Sequence, residues 1–562
     1  MSASSKKKLR KEMAADLLTE KQKKAQKEAK KLKAQTISFV AIMVIIALVV
    51  TSVLVVRGVN NSGIIEKNTI AAVIDGQELN SVQMNYYLTD YIKNIYSQAE
   101  AQYGTSTSLF FGMQGLNANA PLDEQKYTYS DEYATWGDFY LAQALQKAVS
   151  EYALYNKAMA EGFTLAEDEQ AALDTTLSYL DFYASMFGYK NTDKYLQALY
   201  GPGSSKESYS QYAEISTIAT AYYNKYSADL TYDDAAIRAY EKDKENDYTS
   251  ISYTIYTVNS SSYLEGGTEG EDGTTTYTDA QKEAALKKAE EIANELGKSA
   301  DLSALDKAIA ALDINKDKET PVSSTLYADM LYPNIPAALQ SWLIDKARVE
   351  NEITVIANET TSTDEDGKEV KTTNGYYVVC FQSRNENLRP LANVRHLLVQ
   401  FEGGTTGTDG EKTYSETEKA TAKTEAERLL QLWKDGEATE ESFIALVKEH
   451  SDDSGSKEDG GMIEDIHPES SLVENFLNWS IAADRKVGET AVIVSEYGYH
   501  VMYYSSDDEL TYRDYMIRED MRTEDVEEWY NGIVDASTGE TKKTNRLNTD
   551  IVLASLSTTS SN

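Results

Sequence analysis

Two apolar runs, each carrying a single histidine, constrain this chain most. Asn393-Val394-Arg395-His396-Leu397-Leu398-Val399 opens the stretch, and Gly498-Tyr499-His500-Val501-Met502-Tyr503-Tyr504 closes it. The chain has four histidines in 562 residues, and two of them lie in these strand-like runs. Side chains of a strand alternate between its faces, so two such strands side by side can bring both imidazoles to one face. Between the runs lie a helical segment rich in Ala, Glu and Leu, a short stretch Phe443 to Glu449, the polar loop Ser451-Asp452-Asp453-Ser454-Gly455-Ser456-Lys457, and the step Gly460-Gly461.

Charge divides the chain at one point. Residues 1–35 hold 12 Lys and Arg against 4 Asp and Glu, which leaves 42 of the 54 basic and 87 of the 91 acidic residues to the remainder. The boundary is Thr36 to Val56, an uncharged run of 21 residues. At about 1.5 Å per residue a helix of this length spans roughly the 30 Å of a bilayer core. We therefore expect a basic cytoplasmic tail at 1–35, a single transmembrane helix at 36–56 and the acidic bulk outside. A cleaved signal peptide is the rival reading. Against it stand the long basic region, the full-length run, and Arg57-Gly58-Val59-Asn60-Asn61, which lacks a small-x-small cleavage pattern. Cys380 is the one cysteine, so there is no disulfide framework and no lipid-modified cysteine after the apolar run. That suits a bacterial surface of the Gram-positive type. The acidic exterior excludes nucleic-acid binding, which needs a basic face.

Beyond a short linker, Ile70 to Leu79 reads as strand, Asp-Gly turn and strand, with Asn80 and Ser81 as helix caps. Tyr and Leu then recur at three- and four-residue spacing, which predicts a helical domain over 66–240. Residues 103–133, rich in Gly, Ser, Thr and Asn around Phe110-Phe111, read as an insertion loop, or as an exposed lip that touches substrate. From 248 to 385 the element order matches that of 390–506: strand, long helix, short helix with Trp342 or Trp479, then a strand opened by Gly375 or Gly498. In this alignment Tyr253 stands where His396 stands, and Tyr377 where His500 stands. Residues 507–562 read as an amphipathic helix, Tyr512 to Asp535, and a loose polar tail in which Ile551-Val552-Leu553 could add a strand.

His-Leu-Leu-Val, the Ser-Asp-Asp-Ser-Gly-Ser-Lys loop, the Gly-Gly step and Gly-Tyr-His, in this order, resemble the parvulin family of peptidyl-prolyl isomerases. The strand–turn–helix opening with helices ahead of it resembles extracytoplasmic foldases of the PrsA and SurA type. The resemblance implies an α+β protein with a helical chaperone domain, a degenerate parvulin-like copy at 248–385, a parvulin isomerase domain at 390–506, and a C-terminal helix that packs back on the helical domain. Its partners would be unfolded or partly folded exported proteins and the membrane; a homodimer stays open.

In parvulins the paired histidines lie at the floor of the active site, so His396 and His500 are the candidate catalytic residues, with Asp453 at a position that is Cys or Asp and faces the substrate carbonyl. Leu398, Ile463, Leu472 and Phe476 match apolar positions that line the proline pocket, and Ser495 a polar position beside it. The alternative is that His396 and His500 are core histidines bonded to one another. His450 and His467 read as surface residues. No cofactor is implied and no metal, since HxxxH and CxxC spacings are missing. There are departures: Met462 follows the Gly-Gly step where Asp is usual, Leu472 replaces a usual Met, and its alignment needs one extra residue among 469–471. The loop Gln400 to Gly404 lacks the basic cluster of phosphate-directed relatives. A holdase without isomerase activity is the alternative function.

Overall fold

A computed structural model describes residues 63–556 apart from 270–272, 317, 319, 321, 364–366, 408–411 and 543. The expected cytoplasmic tail and transmembrane run lie outside the described residues. Among those described, no helix is long and apolar enough to cross a membrane. The chain divides into two units, Met1–Leu230 with Glu524–Asn562, and Thr231–Thr523.

The first unit opens on a hairpin of β1 (Ile70–Ile74) and β2 (Gln77–Asn80). Asp75 and Gly76 join them, both at positive φ (49° and 81°), as a two-residue turn matched to strand twist requires. Asn80 caps α1 (Ser81–Tyr103): its side chain accepts from the Gln83 N–H, and the Gln83 side chain accepts from the Asn80 N–H. With α2 (Thr107–Met113), α3 (Trp136–Ala160), α4 (Glu167–Met186), α5 (Thr192–Tyr200) and α6 (Lys206–Asp229) it forms a helical bundle. Met84, Tyr87, Leu88 and Ile92 of α1 pack with Tyr140, Ala144, Ala148 and Tyr152 of α3 and with Phe111.

Two expectations need correction in this unit. Segment 103–133 is irregular from 114 onward but opens on α2, and Phe111 is no exposed lip, because it is buried and stacks on Tyr96 at 5.9 Å. The tail is not loose over its described residues. Gly539–Thr541 adds a third strand to the hairpin, with Ala72 opposite Thr541, and Leu553 is buried in the bundle core. Val552 makes only an isolated bridge to Pro121. The C-terminal helix, Tyr512–Val534, places Trp529, Tyr530 and Ile533 against Leu154, Phe163, Tyr222 and Tyr223.

In the second unit, helix Asp234–Glu241 buries Ile237 against Tyr248 and Ile517, so the helical region of the first unit ends at 230 and not at 240. Two four-stranded antiparallel sheets follow. The first runs β4-β3-β6-β5, built from β3 (Ser250–Asn259), β4 (Thr325–Leu331), β5 (Ile353–Thr363) and β6 (Glu369–Asn385), with helices α7 (Asp279–Leu296), α8 (Leu302–Ala310) and α9 (Ala337–Leu343). The second runs β8-β7-β10-β9, built from β7 (Pro390–Gln400), β8 (Met462–Ile466), β9 (Thr490–Val494) and β10 (Gly498–Thr511), with α10 (Glu416–Asp435), α11 (Glu440–His450) and α12 (Glu474–Ser480). Strand order and element order coincide.

Register corrects one residue of the alignment. Gly375 faces Asn259 as Gly498 faces Gln400, and Tyr377 faces Thr257 as His500 faces Leu398. The partner of Val379 is Ile255, and that of Met502 is His396. Ile255, not Tyr253, therefore stands where His396 stands. Tyr253 lies next to a bulge and stacks on Tyr327 instead.

Candidate active site

Alternation along β7 and β10 sorts their side chains between two cores. Leu397, Val399, Val501 and Tyr503 pack against Ala426, Leu429 and Trp433 of α10 and Phe443 of α11. Val394, Met502 and Tyr504 pack on the other face with Phe476 of α12. His396, Leu398 and His500 belong to this second face by the same alternation.

The loop after α11 is stitched to β7. The Ser451 hydroxyl accepts from the N–H groups of Leu398 and Asp453, both at 3.2 Å, and Asp452 N–H donates to Leu398 O at 2.9 Å. On the other side His396 N–H donates to Gly461 O at 2.8 Å. Gly461 has φ 74°, and a Cβ there would stand 2.1 Å from His396 O. Only glycine lets the chain pass this close.

The site itself is a single chain of hydrogen bonds. His396 Nδ1 lies 3.2 Å from His500 Nδ1. His396 Nε2 lies 3.0 Å from Asp453 Oδ2 and 3.1 Å from Ser456 Oγ. The Ser456 hydroxyl donates to Asp453 Oδ2. At the far end Ser495 Oγ lies 2.8 Å from His500 Nε2 and accepts from the Tyr497 N–H. Phe476 meets both imidazoles edge-on, with centroids 5.2 and 5.5 Å away.

The ionised Asp453 orders the protons. Burial alone would raise its pKa, but hydrogen bonds from Ser456 and Gly455, and the neighbouring His396, hold it below the usual carboxylate value. A carboxylate only accepts, so His396 carries its proton on Nε2 and presents Nδ1 as an acceptor. His500 then donates from Nδ1, leaving Nε2 to accept from Ser495. The chain runs one way, Ser495 to His500 to His396 to Asp453, with every ring nitrogen engaged. Both imidazoles are neutral: burial lowers the pKa of His396, against the pull of Asp453, and burial with His396 beside it lowers that of His500 to about 4. Neither ring is free to attack a substrate. The two ends of the chain, Asp453 and Ser495, are partly exposed, while both imidazoles are buried.

Each expected site residue can now be placed. His396, His500, Asp453, Ser495 and Phe476 meet in one network. Leu398 is buried opposite His500 in the register, and Ile463 and Leu472 join the apolar cluster of Phe476. A cavity of about 230 Å³ adjoins Ser495, lined by Val473, Glu474, Asn475, Val494 and Glu496. Ser456 is a member that motif matching left without a role, although it sits inside the polar loop that carried the resemblance. His467 is not a bare surface residue: it is half-buried, with its ring 5.1 Å from Tyr512 and 4.5 Å from Tyr515. Among the described residues no group of His, Cys, Asp and Glu could hold a metal ion.

The family model for the rotamase, or PPIC-type PPIase, domain matches residues 396–506, from the first histidine of the network to just beyond the second. Residues 396–506 are a parvulin-type isomerase domain. The match extends over both parvulin histidines, Asp453 and Ser495. Among solved structures, PrsA from Bacillus anthracis is 20% identical over 27% of this chain and 59% of its own, with a TM-score of 0.17. PrsA from Bacillus cereus is 22% identical over 30% and 58%, also at 0.17. PrsA from Bacillus subtilis is 14% identical over 77% and 98%, at 0.25. The chain thus matches under two thirds of the length of the first two. No similar sequence is found among curated proteins.

Proposed function

We propose that this protein is a membrane-anchored extracytoplasmic foldase whose parvulin domain, 390–506, catalyses cis/trans isomerisation of X–Pro bonds in exported proteins, while its helical unit holds the unfolded chain. One observation carries the isomerase reading: the closed chain Ser495–His500–His396–Asp453, flanked by Phe476, inside the segment that the parvulin model matches. Isomerisation breaks no covalent bond. Its barrier is lost amide resonance, about 18–20 kcal/mol, and unaided it takes tens to hundreds of seconds. A catalyst must favour the twisted amide, and a nucleophile is not needed. Fixed dipoles in a dry surround suit that task, because they do not reorganise as the amide twists. Neutral histidines with both nitrogens engaged are such dipoles. They position Asp453, which then faces the substrate carbonyl.

The holding role draws on a different feature. Tyr179, Phe182, Tyr183 and Met186 lie exposed in one stripe of α4, and exposed apolar patches of this kind mark interaction surfaces. The copy at 248–385 places Ile255 and Tyr377 at the two histidine positions, so we assign it a scaffold role. Two measurements test the proposal. Turnover of a proline peptide by the full chain should exceed buffer and fall in His500→Ala; no turnover in the wild type would leave the holdase reading in its place. Cell fractionation should find the protein in the membrane, and a soluble form that starts near Val59 would rule out the anchor.

A further inference from the structure

By strand alternation Arg395 stands on the face of β7 opposite that of His396, and its side chain is only 13% exposed. Its Nε lies 2.7 Å from Glu440 Oε1 at the head of α11, and the Ser505 hydroxyl donates to the same oxygen at 2.6 Å. Burial alone would raise the Glu440 pKa, but Ser505 and Arg395 hold it below the usual carboxylate value, so the pair is ionised. Held in this way, the guanidinium turns Nη1 to the loop before β8 and donates to Asp459 O at 3.0 Å and Gly460 O at 3.3 Å. The next residue carries the contact onward. Gly461 N–H donates to Ser456 O at 2.8 Å, and the Ser456 hydroxyl holds Asp453 beside His396 Nε2. A Cβ on Gly460, at φ 68°, would stand 2.7 Å from Ile444 Cγ2 and 3.2 Å from Arg395 Nη1, so the loop reaches the arginine only with a bare backbone there.

The fold does not need this ion pair. A partly buried pair repays its desolvation poorly, and apolar replacements of similar size are often neutral or stabilising. The domain at 248–385 carries such a replacement. Thr254 faces Cys380 and Leu326 as Arg395 faces Tyr503 and Met462, so the two share one register position. Leu302 heads α8 where Glu440 heads α11. Gln382 takes the unpaired bulge position of Ser505. Ser324 and Thr325 precede Leu326 as Gly460 and Gly461 precede Met462, and Ser324 is tied instead to Asp306, through its N–H and its hydroxyl, both at 2.8 Å. The same sheet order therefore forms without the arginine, the glutamate or the two glycines, in the copy that also lacks both histidines.

We infer that Arg395, locked by Glu440 and Ser505, is a positioning residue for the isomerase reaction: from the far face of the sheet it pins segment 456–461, so that Ser456 keeps the Asp453 carboxylate aimed at the substrate. The pin stands on the contacts; its purpose rests on the role proposed for Asp453.

The test uses the full chain, below the melting temperature of every variant. Its readouts are amide hydrogen exchange of 453–461 by mass spectrometry, and kcat and KM on a proline peptide. Arg395→Met removes the guanidinium. Arg395→Thr with Glu440→Leu copies the first domain and leaves no lone carboxylate. Both should speed exchange in 453–461 and lower kcat about tenfold with KM nearly unchanged. Arg395→Lys keeps the charge but cannot reach Glu440 and both carbonyls at once, and should return part of the rate. Joined to Ser456→Ala, Arg395→Met should cost little beyond the larger single loss, since both act on Asp453 through one hydroxyl. Leu429→Ala opens a cavity in the core of the same domain; it should lower the melting temperature and leave kcat and the exchange of 453–461 as in the wild type. Losses that multiply in the double variant, or a wild-type kcat in Arg395→Met, would overturn the inference. A loosened loop in Arg395→Met with no turnover in the wild type would keep the pin and sink its catalytic purpose, which is a failure of the isomerase reading and not of the contact.

Discussion

Acidification should loosen the isomerase domain well before its carboxylates titrate, and His500 is the reason. Burial, and then His396 beside it, hold its pKa at about 4 against 6.5 for an unperturbed side chain. Between those values the unfolded chain takes up a proton that the folded chain refuses, so stability falls as pH falls. The gap of 2.5 pH units, at about 1.36 kcal/mol each, amounts to roughly 3 kcal/mol once the pH is below 4. Roughly 2 kcal/mol of it is already lost at about pH 5. His396 is displaced in the same direction and steepens the slope. The perturbation to compare is His500→Gln, whose amide can still accept from Ser495 and donate to His396 but cannot titrate. Urea unfolding of both proteins would be followed from about pH 7.5 to pH 5 by fluorescence, with the histidine ring protons followed by NMR. The wild type should lose about 2 kcal/mol more than the variant across this window. Parallel stability curves, or a His500 resonance that titrates near 6.5, would refute the reasoning.

Three further outcomes are expected. Asp453→Asn exchanges an acceptor for a group that can donate, so His396 should move its proton to Nδ1 and His500 to Nε2; nitrogen-15 NMR would report the exchange, and proline-peptide turnover should fall while the melting temperature holds. Phe476→Ala should cost about 3–5 kcal/mol of stability as well as activity, because the ring is buried to 3% exposure and braces both imidazoles; a variant with wild-type urea unfolding would contradict this. Gly461→Ala sets a methyl 2.1 Å from His396 O at φ 74°, and thermal melting should show a loss above the roughly 1–3 kcal/mol of backbone strain alone.

The histidine pair was legible because strand alternation is a strict period: His396 and His500 could be matched to one face from sequence order alone. Asp453 and Ser495 were legible only through the resemblance to parvulins, which assigns them by motif position. Phe476 was legible as a pocket-lining residue but not as a core residue. Its burial depends on how α12 lies across the sheet, and nothing in Val473 to Ile481 states that. Tyr253 was aligned with His396 by the order of the runs alone, and only the register, with Val379 opposite Ile255, shows that the match lies two residues further on. Phe110-Phe111 was read as part of a loop because the segment is rich in Gly, Ser, Thr and Asn, while a few scattered residues, Phe111, Leu116, Ala118 and Leu122, anchor it in the bundle core. The tail failed differently: Gly539–Thr541 joins the hairpin through its backbone, and backbone pairing on an exposed edge needs no apolar pattern.

That third strand also sets a timetable. One unit is assembled from two separate stretches of the chain, with Thr231–Thr523 inserted between them, and β1 receives its second neighbour, opposite β2, only from residues Gly539–Thr541. A ribosome delivers the chain at about 5–20 residues per second, so the hairpin waits some tens of seconds with an open edge while the inserted unit is made. The inserted unit, which holds the isomerase domain, can fold first. The unit with the Tyr-rich helices closes last, and an arrest or cleavage before Gly539 would leave β1 as an unpaired edge, the kind of surface on which chains associate.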